Sequence, residues 1–155
     1  MRQTGGGAAI IAALMLVAAQ ADAKCVPSKY TDSWLAEQEQ LGGDTMQRHV
    51  GRSPSVLAAY LAEDPQSRSI GSFPDPRTAG AVIGAALRPD EHSYDSWARR
   101  AQAGERAEVR MAFEQPIGVL VERGSASAVP AHGIRVILEA TGQGTCRLVT
   151  AFPTR

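Results

Sequence analysis

The chain has 155 residues with 16 basic and 16 acidic side chains, so its formal net charge is zero. A neutral chain does not hold nucleic acid by bulk charge alone. Its length is enough for one domain with a real core and too short for two.

The first 23 residues have the pattern of an export signal. Arg2 provides a basic start, residues 8–19 are all apolar, and residues 21–23 (Ala-Asp-Ala) have the small-x-small pattern of a cleavage site. The apolar run is shorter than the roughly 20 residues that a membrane-spanning helix needs. We therefore expect a signal peptide over residues 1–23 and a single domain over residues 24–155. The domain is expected to be secreted or periplasmic, without a membrane anchor.

Two cysteines belong to that domain, Cys25 and Cys146, and they lie near its two ends. In an oxidising compartment such a pair most simply forms a disulfide, and the alternative is two unrelated free thiols. A bridge across this separation would stabilise the fold by about 4–5 kcal/mol in the chain-entropy estimate. Metal binding is not expected, because the sequence has no C-x-x-C or H-E-x-x-H motif and its histidines are scattered. No metal or other cofactor is predicted.

The first half of the domain is punctuated like a series of helices. Three helix starts are marked by capping residues, two of them followed by proline: Asp32, Ser53-Pro54 and Asp75-Pro76. Apolar residues follow each start at helical spacing, and glycine or proline stands at each end: Gly42-Gly43, Pro65 and Pro89. A fourth helix is predicted from near Ser93 to near Gly104.

After Gly104 the spacing of apolar residues changes from about 3.6 to 2, which indicates strands. Four strands are predicted, at residues 109–113, 117–122, 134–139 and 146–152, with a loop over 123–130. The order predicts an α+β domain in which N-terminal helices precede a four-stranded, mainly antiparallel sheet. Strict alternation in the last strand would place Cys146, Leu148, Thr150 and Phe152 on one face.

The most distinctive segment for function is residues 42–52. Glycines flank this segment, so a turn of the backbone can orient the side chains of Arg48 and His49, instead of a regular helix fixing them. Imidazole moves protons near neutrality, and guanidinium matches phosphate oxygens in pairs, so the two residues suit phosphodiester chemistry. A packed histidine beside a solvated arginine has the same pattern. Thr150 offers a hydroxyl donor at the rim of the sheet, or simply a residue that favours strands.

Four other residues of functional type are assigned to structure. His92 and His132 stand at places where surface polar residues are ordinary, near a helix start and before a strand. Trp34 and Trp97 have rings that stack on bases in single-strand binders. Because they lie at helical spacing beside leucine and alanine, we expect both in the core.

Three blocks follow one another along the chain: residues 34–52 (WLAEQEQLGGDTMQRHVGR), Ser72-Phe73 before a helix, and residues 148–153 (LVTAFP). Together they resemble the RNase A-like toxin domain at the C-terminus of bacterial contact-dependent inhibition proteins. The resemblance covers about residues 33–153. It implies a kidney-shaped α+β fold with a central antiparallel sheet, and metal-independent cleavage of RNA. It also implies a toxin role with a dedicated immunity protein as partner.

The resemblance assigns roles residue by residue. His49 matches the family's general acid or base, and Thr150 matches the threonine of its terminal block. Asp44 stands where the family more often has histidine, Tyr60 where its usual arginine falls, and Phe152 where some members have a functional tyrosine.

The resulting hypothesis divides the candidate residues into two sets. The catalytic set comprises His49, Thr150, Arg48 and Asp44, and the substrate contacts comprise Arg52, Tyr60 and Phe152. Two functions stay open. One is an exported ribonuclease whose activity is weakened by the three departures from the family pattern. The other is a catalytically silent module that recognises a protein partner through the cleft that formerly held the active site.

Overall fold

A computed structural model describes residues 24–125 and 127–155, so the predicted export signal lies outside the described residues. The elements are, in chain order, α1 (Asp32–Gln40), α2 (Thr45–His49), α3 (Pro54–Glu63), β1 (Ser69–Ser72), α4 (Pro76–Leu87), a 3-10 turn (Arg88–Asp90), α5 (Glu91–Arg100), β2 (Arg106–Ala112), β3 (Gly118–Glu122), β4 (Ala128–Ala131), β5 (Gly133–Ala140) and β6 (Cys146–Thr154). Within the described ranges, no helix has the length and apolarity needed to cross a membrane.

The helix starts follow from local capping. The side chains of Ser53 and Asp75 accept hydrogen bonds from backbone N–H groups in the first turns of α3 and α4. A proline occupies the first position of each of these two helices, where its missing N–H has no partner to lose. At α1 the cap is Thr31 and not Asp32, so this predicted start is displaced by one residue.

The strands form two antiparallel sheets of three strands each, in the orders β1-β3-β4 and β2-β5-β6. The α+β class with antiparallel pairing is confirmed, but the single four-stranded sheet is corrected to two sheets. The additional strands are β1 and β4, and β4 lies partly in the predicted loop. Both are four residues long and lie at sheet edges, where Gly71 and Pro130 are tolerated although they weaken a strand pattern.

The two sheets approach each other where β1 lies beside β6. Gly71 makes this approach possible, because a Cβ atom at that position would lie 2.2 Å from the carbonyl oxygen of Pro153. Any larger residue would push the two strands apart. The contact matters for function because it brings a backbone carbonyl of β1 next to the end of β6.

The main core lies between the helices and one face of the β2-β5-β6 sheet. Its fully buried side chains include Leu35, Ile83, Leu87, Ile134, Val136, Leu138 and Leu148. Trp34 and Trp97 pack against this core, as predicted. A smaller cluster of Leu57, Leu61, Ile70 and Val121 joins α3 to the first sheet.

A disulfide joins Cys25 to Cys146 and so connects the start of the described chain to the first residue of β6. The predicted pairing is confirmed. The backbone N–H groups of Cys25 and Val26 both donate to the buried carboxylate of Asp95 on α5. The N-terminal segment is thereby fixed against the domain by a covalent bond and by hydrogen bonds.

Candidate active site

A β-bulge in β6 decides which side chains face the candidate site. Ile137 of β5 is opposite Thr150, whereas the next residue, Leu138, is opposite Leu148, so Val149 is the extra residue. Opposed residues share a face of the sheet. The predicted alternation is therefore wrong: Leu148 packs in the core with 1% exposure, while Thr150 and Phe152 lie on the opposite face.

The bulge is held by the segment that precedes His49. Three hydrogen bonds join them: the N–H of Asp44 to the carbonyl of Val149 (3.0 Å), the N–H of Ala151 to Thr45 Oγ1 (2.9 Å), and the N–H of Leu148 to Gln38 Oε1 (2.8 Å). Thr45 and Gln38 are both buried. Sequence reasoning missed these two positioning residues, because their partners lie more than 100 positions away.

His49 closes α2 and is 7% exposed. Its Nδ1 lies 2.9 Å from the carbonyl oxygen of Gly71 on β1. A carbonyl can only accept, so Nδ1 carries the proton and Nε2 of the neutral ring keeps its lone pair. The ring of Phe152 lies 5.0 Å away between centroids, with a 32° tilt between the planes. His49 is thus oriented by a strand carbonyl and an aromatic neighbour.

Burial lowers the pKa of His49 below its ordinary value. The hydrogen bond to Gly71 and the nearby carboxylate of Asp44 act in the opposite direction, and the guanidinium of Arg48 adds to the lowering. Because the lowering prevails, the ring is neutral at pH 7. A neutral imidazole with a free Nε2 is suited to accept a proton, as a general base does.

A cleft of about 540 Å³ contains most of the predicted site. Six of the predicted residues line it: Asp44, Arg48, His49, Tyr60, Thr150 and Phe152. They come from α2, α3, β6 and the residue before α2. His49 and Thr150, which are 101 positions apart in the sequence, therefore line one cleft.

Arg52 does not line this cleft. The chain turns at Gly51, which has φ of 66°, and Arg52 borders a second cavity of about 570 Å³ with Ser72 and Phe73. Its Nη2 donates to the carbonyl of Met46 at 3.3 Å. Arg52 therefore lies apart from the other six predicted residues, and its contact with substrate stays a prediction.

Arg48 lies in the cleft but is engaged by its neighbours. Its guanidinium carbon is 5.2 Å from the ring centroid of Tyr60, a cation–π contact. Its Nε is 4.0 Å from the carboxylate of Asp44. Asp44 precedes α2 without capping it through its side chain.

Three further arginines line the cleft: Arg68 before β1, Arg110 of β2 and Arg135 of β5. Arg110 and Arg135 stand opposite each other in the sheet. Sequence reasoning treated them as polar residues that alternate with apolar ones in separate strands. Only the register between β2 and β5 brings them together, and nothing in either strand alone specifies that register.

Three polar atoms of the cleft are buried without a hydrogen-bond partner among the described residues: Asp44 Oδ1, Arg135 Nε and Thr150 Oγ1. A buried polar group left unpaired costs about 1–3 kcal/mol, and more when it is charged. A water molecule or a ligand in the cleft can supply the missing partners. In the described part of the chain, no cluster of three or more His, Cys, Asp or Glu residues could hold a metal ion.

Comparison with known proteins identifies the family. A family model described as bacterial CdiA-CT RNase A domain matches residues 43–153. A chain in the crystal structure of a CdiA-CT/CdiI complex from Y. kristensenii 33638 is similar in fold, with a TM-score of 0.59 and 29% sequence identity. The similarity covers 71% of this chain and 97% of that chain. No curated protein sequence matches. Since the family match extends through most of the chain and includes both His49 and Thr150, the chain belongs to the bacterial CdiA-CT RNase A domain family.

Proposed function

We propose that the domain is an exported toxin that cleaves RNA without a metal ion, by attack of the ribose 2′-hydroxyl on the adjacent phosphate. The observation that carries this proposal is the state of His49. It is a neutral imidazole with its Nε2 available, in a cleft lined by arginines and by a buried threonine hydroxyl. Family membership supports the same reaction.

In the first step, His49 Nε2 takes the proton of the 2′-hydroxyl. The 2′-oxygen forms a bond to phosphorus, and the bond from phosphorus to the 5′-oxygen breaks. The products are a 2′,3′-cyclic phosphate and a 5′-hydroxyl. Thr150 Oγ1 is buried in the cleft without a hydrogen-bond partner among the described residues, so it can donate to a non-bridging oxygen as negative charge develops there.

The leaving 5′-oxygen needs a proton. His92 is exposed on α5 and His132 is bonded to the carbonyl of Phe113, and neither lines the cleft. We assign this proton to the imidazolium formed at His49 in the first step, and the nearby carboxylate of Asp44 stabilises that imidazolium because it raises the pKa of His49. One histidine serving both steps predicts a slower enzyme than a pair would give.

The test is cleavage of labelled RNA by the purified, oxidised protein in the presence of a chelator. We expect a 2′,3′-cyclic phosphate product, and a loss of about 10²- to 10⁴-fold in His49→Ala. His92→Ala is the matched control, since this histidine lies outside the cleft. Cleavage that survives His49→Ala, or that the chelator abolishes, would contradict the proposal.

The proposal also covers export and a partner. The pattern over residues 1–23 supports removal of a signal peptide, so the N-terminal sequence of exported protein should begin at Lys24. The similar crystal structure contains CdiI together with CdiA-CT. We therefore expect a dedicated immunity protein to bind this domain and block the cleft.

The second candidate function is a silent module that recognises a protein partner. It is favoured by the contacts of Arg48 with Tyr60 and Asp44. Because these contacts lie within the domain, the guanidinium of Arg48 is already occupied and is less available to a substrate. The discriminating measurement is cleavage by the double variant Asp44→His, Tyr60→Arg. Silence of both this variant and the wild type, with partner binding retained, would favour the module.

A further inference from the structure

Arg110 and Arg135 form an opposed pair of cations that lines the cleft. They are opposite each other in the β2-β5 register, on the face that also carries Thr150 and Phe152. Like charges directly opposite each other destabilise a sheet. Their placement at a cleft wall therefore requires something that offsets the repulsion.

Glu108 offsets part of it. Its carboxylate accepts from Arg135 Nη2 at 2.6 Å and also from Arg110 Nε. The hydrogen bond from Arg135, followed by that from Arg110, lowers the pKa of Glu108, so the carboxylate stays ionised near neutral pH. Two cations share one anion, and the cluster keeps a net positive charge at the cleft.

Arg135 is connected to His49 through one aromatic ring. Its guanidinium carbon lies 5.9 Å from the ring centroid of Phe152, and that ring lies 5.0 Å from the ring of His49. Arg135 Nε is buried and has no acceptor in the described part of the chain. The residue is thus fixed by Glu108 and Phe152 while one charged N–H has no partner.

We propose that Arg135 and Arg110 form the phosphate-binding site of this cleft, with Arg135 contacting the phosphodiester next to His49. This rests on the proposed function in taking His49 as the base. Arg48 is held by Tyr60 and Asp44, and Arg52 borders the other cavity. Arg68 also lines the cleft, but it is exposed, whereas Arg135 has a buried Nε without an acceptor among the described residues. A planar guanidinium with a free N–H matches the oxygens of a phosphodiester.

The experiment measures binding separately from cleavage. The probe is a short single-stranded oligodeoxynucleotide, which presents phosphodiesters but lacks the 2′-hydroxyl and cannot be cleaved by this route. Fluorescence anisotropy of the labelled probe gives its affinity for the full protein, with inorganic phosphate as competitor. The variants are Arg135→Gln, Arg135→Lys and Arg110→Gln.

Arg106→Gln is the matched control. Arg106 lies in β2 on the same face of the same sheet and pairs with Glu139, but it does not line the cleft. We expect Arg135→Gln to weaken probe binding about 10- to 100-fold, as loss of a charged hydrogen bond does, and Arg106→Gln to change it less than about twofold. The slope of log affinity against log salt should fall by about 0.7 for each lost phosphate contact.

Arg135→Lys keeps the charge and the ion pair with Glu108, so it also covers the case in which the glutamine variant fails to fold. It should bind with intermediate affinity, because lysine lacks the planar fork. Arg135→Gln and Arg135→Lys that both bind the probe like Arg106→Gln would overturn the proposal, and so would a wild type that does not bind it.

The outcome is separable from that of the proposed function. If probe binding depends on Arg135 and the wild type does not cleave RNA, the phosphate-binding site is supported and the ribonuclease activity is contradicted. If RNA is cleaved with equal kcat/KM by Arg135→Gln and Arg106→Gln, the ribonuclease activity is supported and the phosphate-binding site is contradicted.

Discussion

The two faces of the β2-β5-β6 sheet have opposite character. The inner face carries fully or nearly buried apolar side chains: Val109, Ile134, Val136, Leu138 and Ala151. The outer face carries Arg110, Arg135, Thr150 and Phe152, which line the cleft, and Glu108 beside them. The inner face stabilises the fold by burial, whereas the outer face keeps opposed cations and an unpaired hydroxyl. Opposed cations and an unpaired hydroxyl both lower the stability of a fold, and proteins tolerate such features mainly at functional sites.

The largest expected effect on RNA cleavage comes from removing the bulge that holds α2 against β6. Deletion of Val149 leaves Leu148 opposite Leu138 and Thr150 opposite Ile137 in a regular ladder, so both faces keep their side chains. It removes the carbonyl that accepts from the N–H of Asp44, and so displaces the segment that leads to His49. We expect kcat to fall about 10²-fold, because a displacement of about 1 Å at the reacting groups has that cost, and the free energy of unfolding to fall by about 1 kcal/mol for the lost hydrogen bond. RNA cleavage and denaturant unfolding measure the two effects, and Val149→Ala is the control, since it keeps the bulge. A deletion variant that cleaves RNA like Val149→Ala would contradict this account of the bulge.

The inner face was the part that the sequence predicted well. Alternation at period 2 located β2, β5 and β6, because one buried face imposes a strict pattern on each strand. Capping residues followed by proline located α3 and α4. The bulge was not predicted, because the apolar pattern around Val149 is equally consistent with an unbroken strand. Strands β1 and β4 were not predicted, because glycine and proline interrupt their sequence pattern.

The outer face was predicted only in part. His49 and Thr150 were found through motifs that resemble a family, and the structure places both in one cleft. Arg110, Arg135 and Thr45 were missed, because their significance depends on pairings between distant strands and helices. Arg52 was expected at the cleft on sequence proximity to His49, but the turn at Gly51 sends it to the other cavity.

The next effect compares neighbouring residues on opposite faces of β5. Leu138 is 2% exposed in the core, whereas the preceding Ile137 is half-buried on the outer face. Leu138→Ala should lower the free energy of unfolding by about 2–5 kcal/mol, because it removes core volume. Ile137→Ala should cost clearly less. Denaturant titration of both variants checks this, and equal losses would mean that the two faces do not differ in packing.

A smaller effect concerns pH. Because burial lowers the pKa of His49, the unfolded chain binds more protons than the folded one between that lowered pKa and about 6.5. The free energy of unfolding should therefore fall as pH decreases below about 6.5, and His49→Gln should remove this component. The acid limb of kcat/KM should likewise lie below pH 6.5. An acid limb above that value would contradict a neutral, buried base.

The smallest effect in stability is the one that separates function from folding most directly. Thr150 Oγ1 is buried and has no hydrogen-bond partner in the described ranges 24–125 and 127–155, so Thr150→Val removes an unpaired hydroxyl and keeps a residue that favours strands. We expect the free energy of unfolding to stay equal or rise by up to about 1 kcal/mol, while kcat falls because a donor to the developing charge is lost. Thr154 lies on the same face of β6, but its hydroxyl donates to the carbonyl of Arg155, so Thr154→Val is the stability control and should show no gain. Denaturant unfolding and RNA cleavage are measured on the same preparations. Thr150→Val that loses stability while keeping its full kcat would mean that this hydroxyl serves the fold.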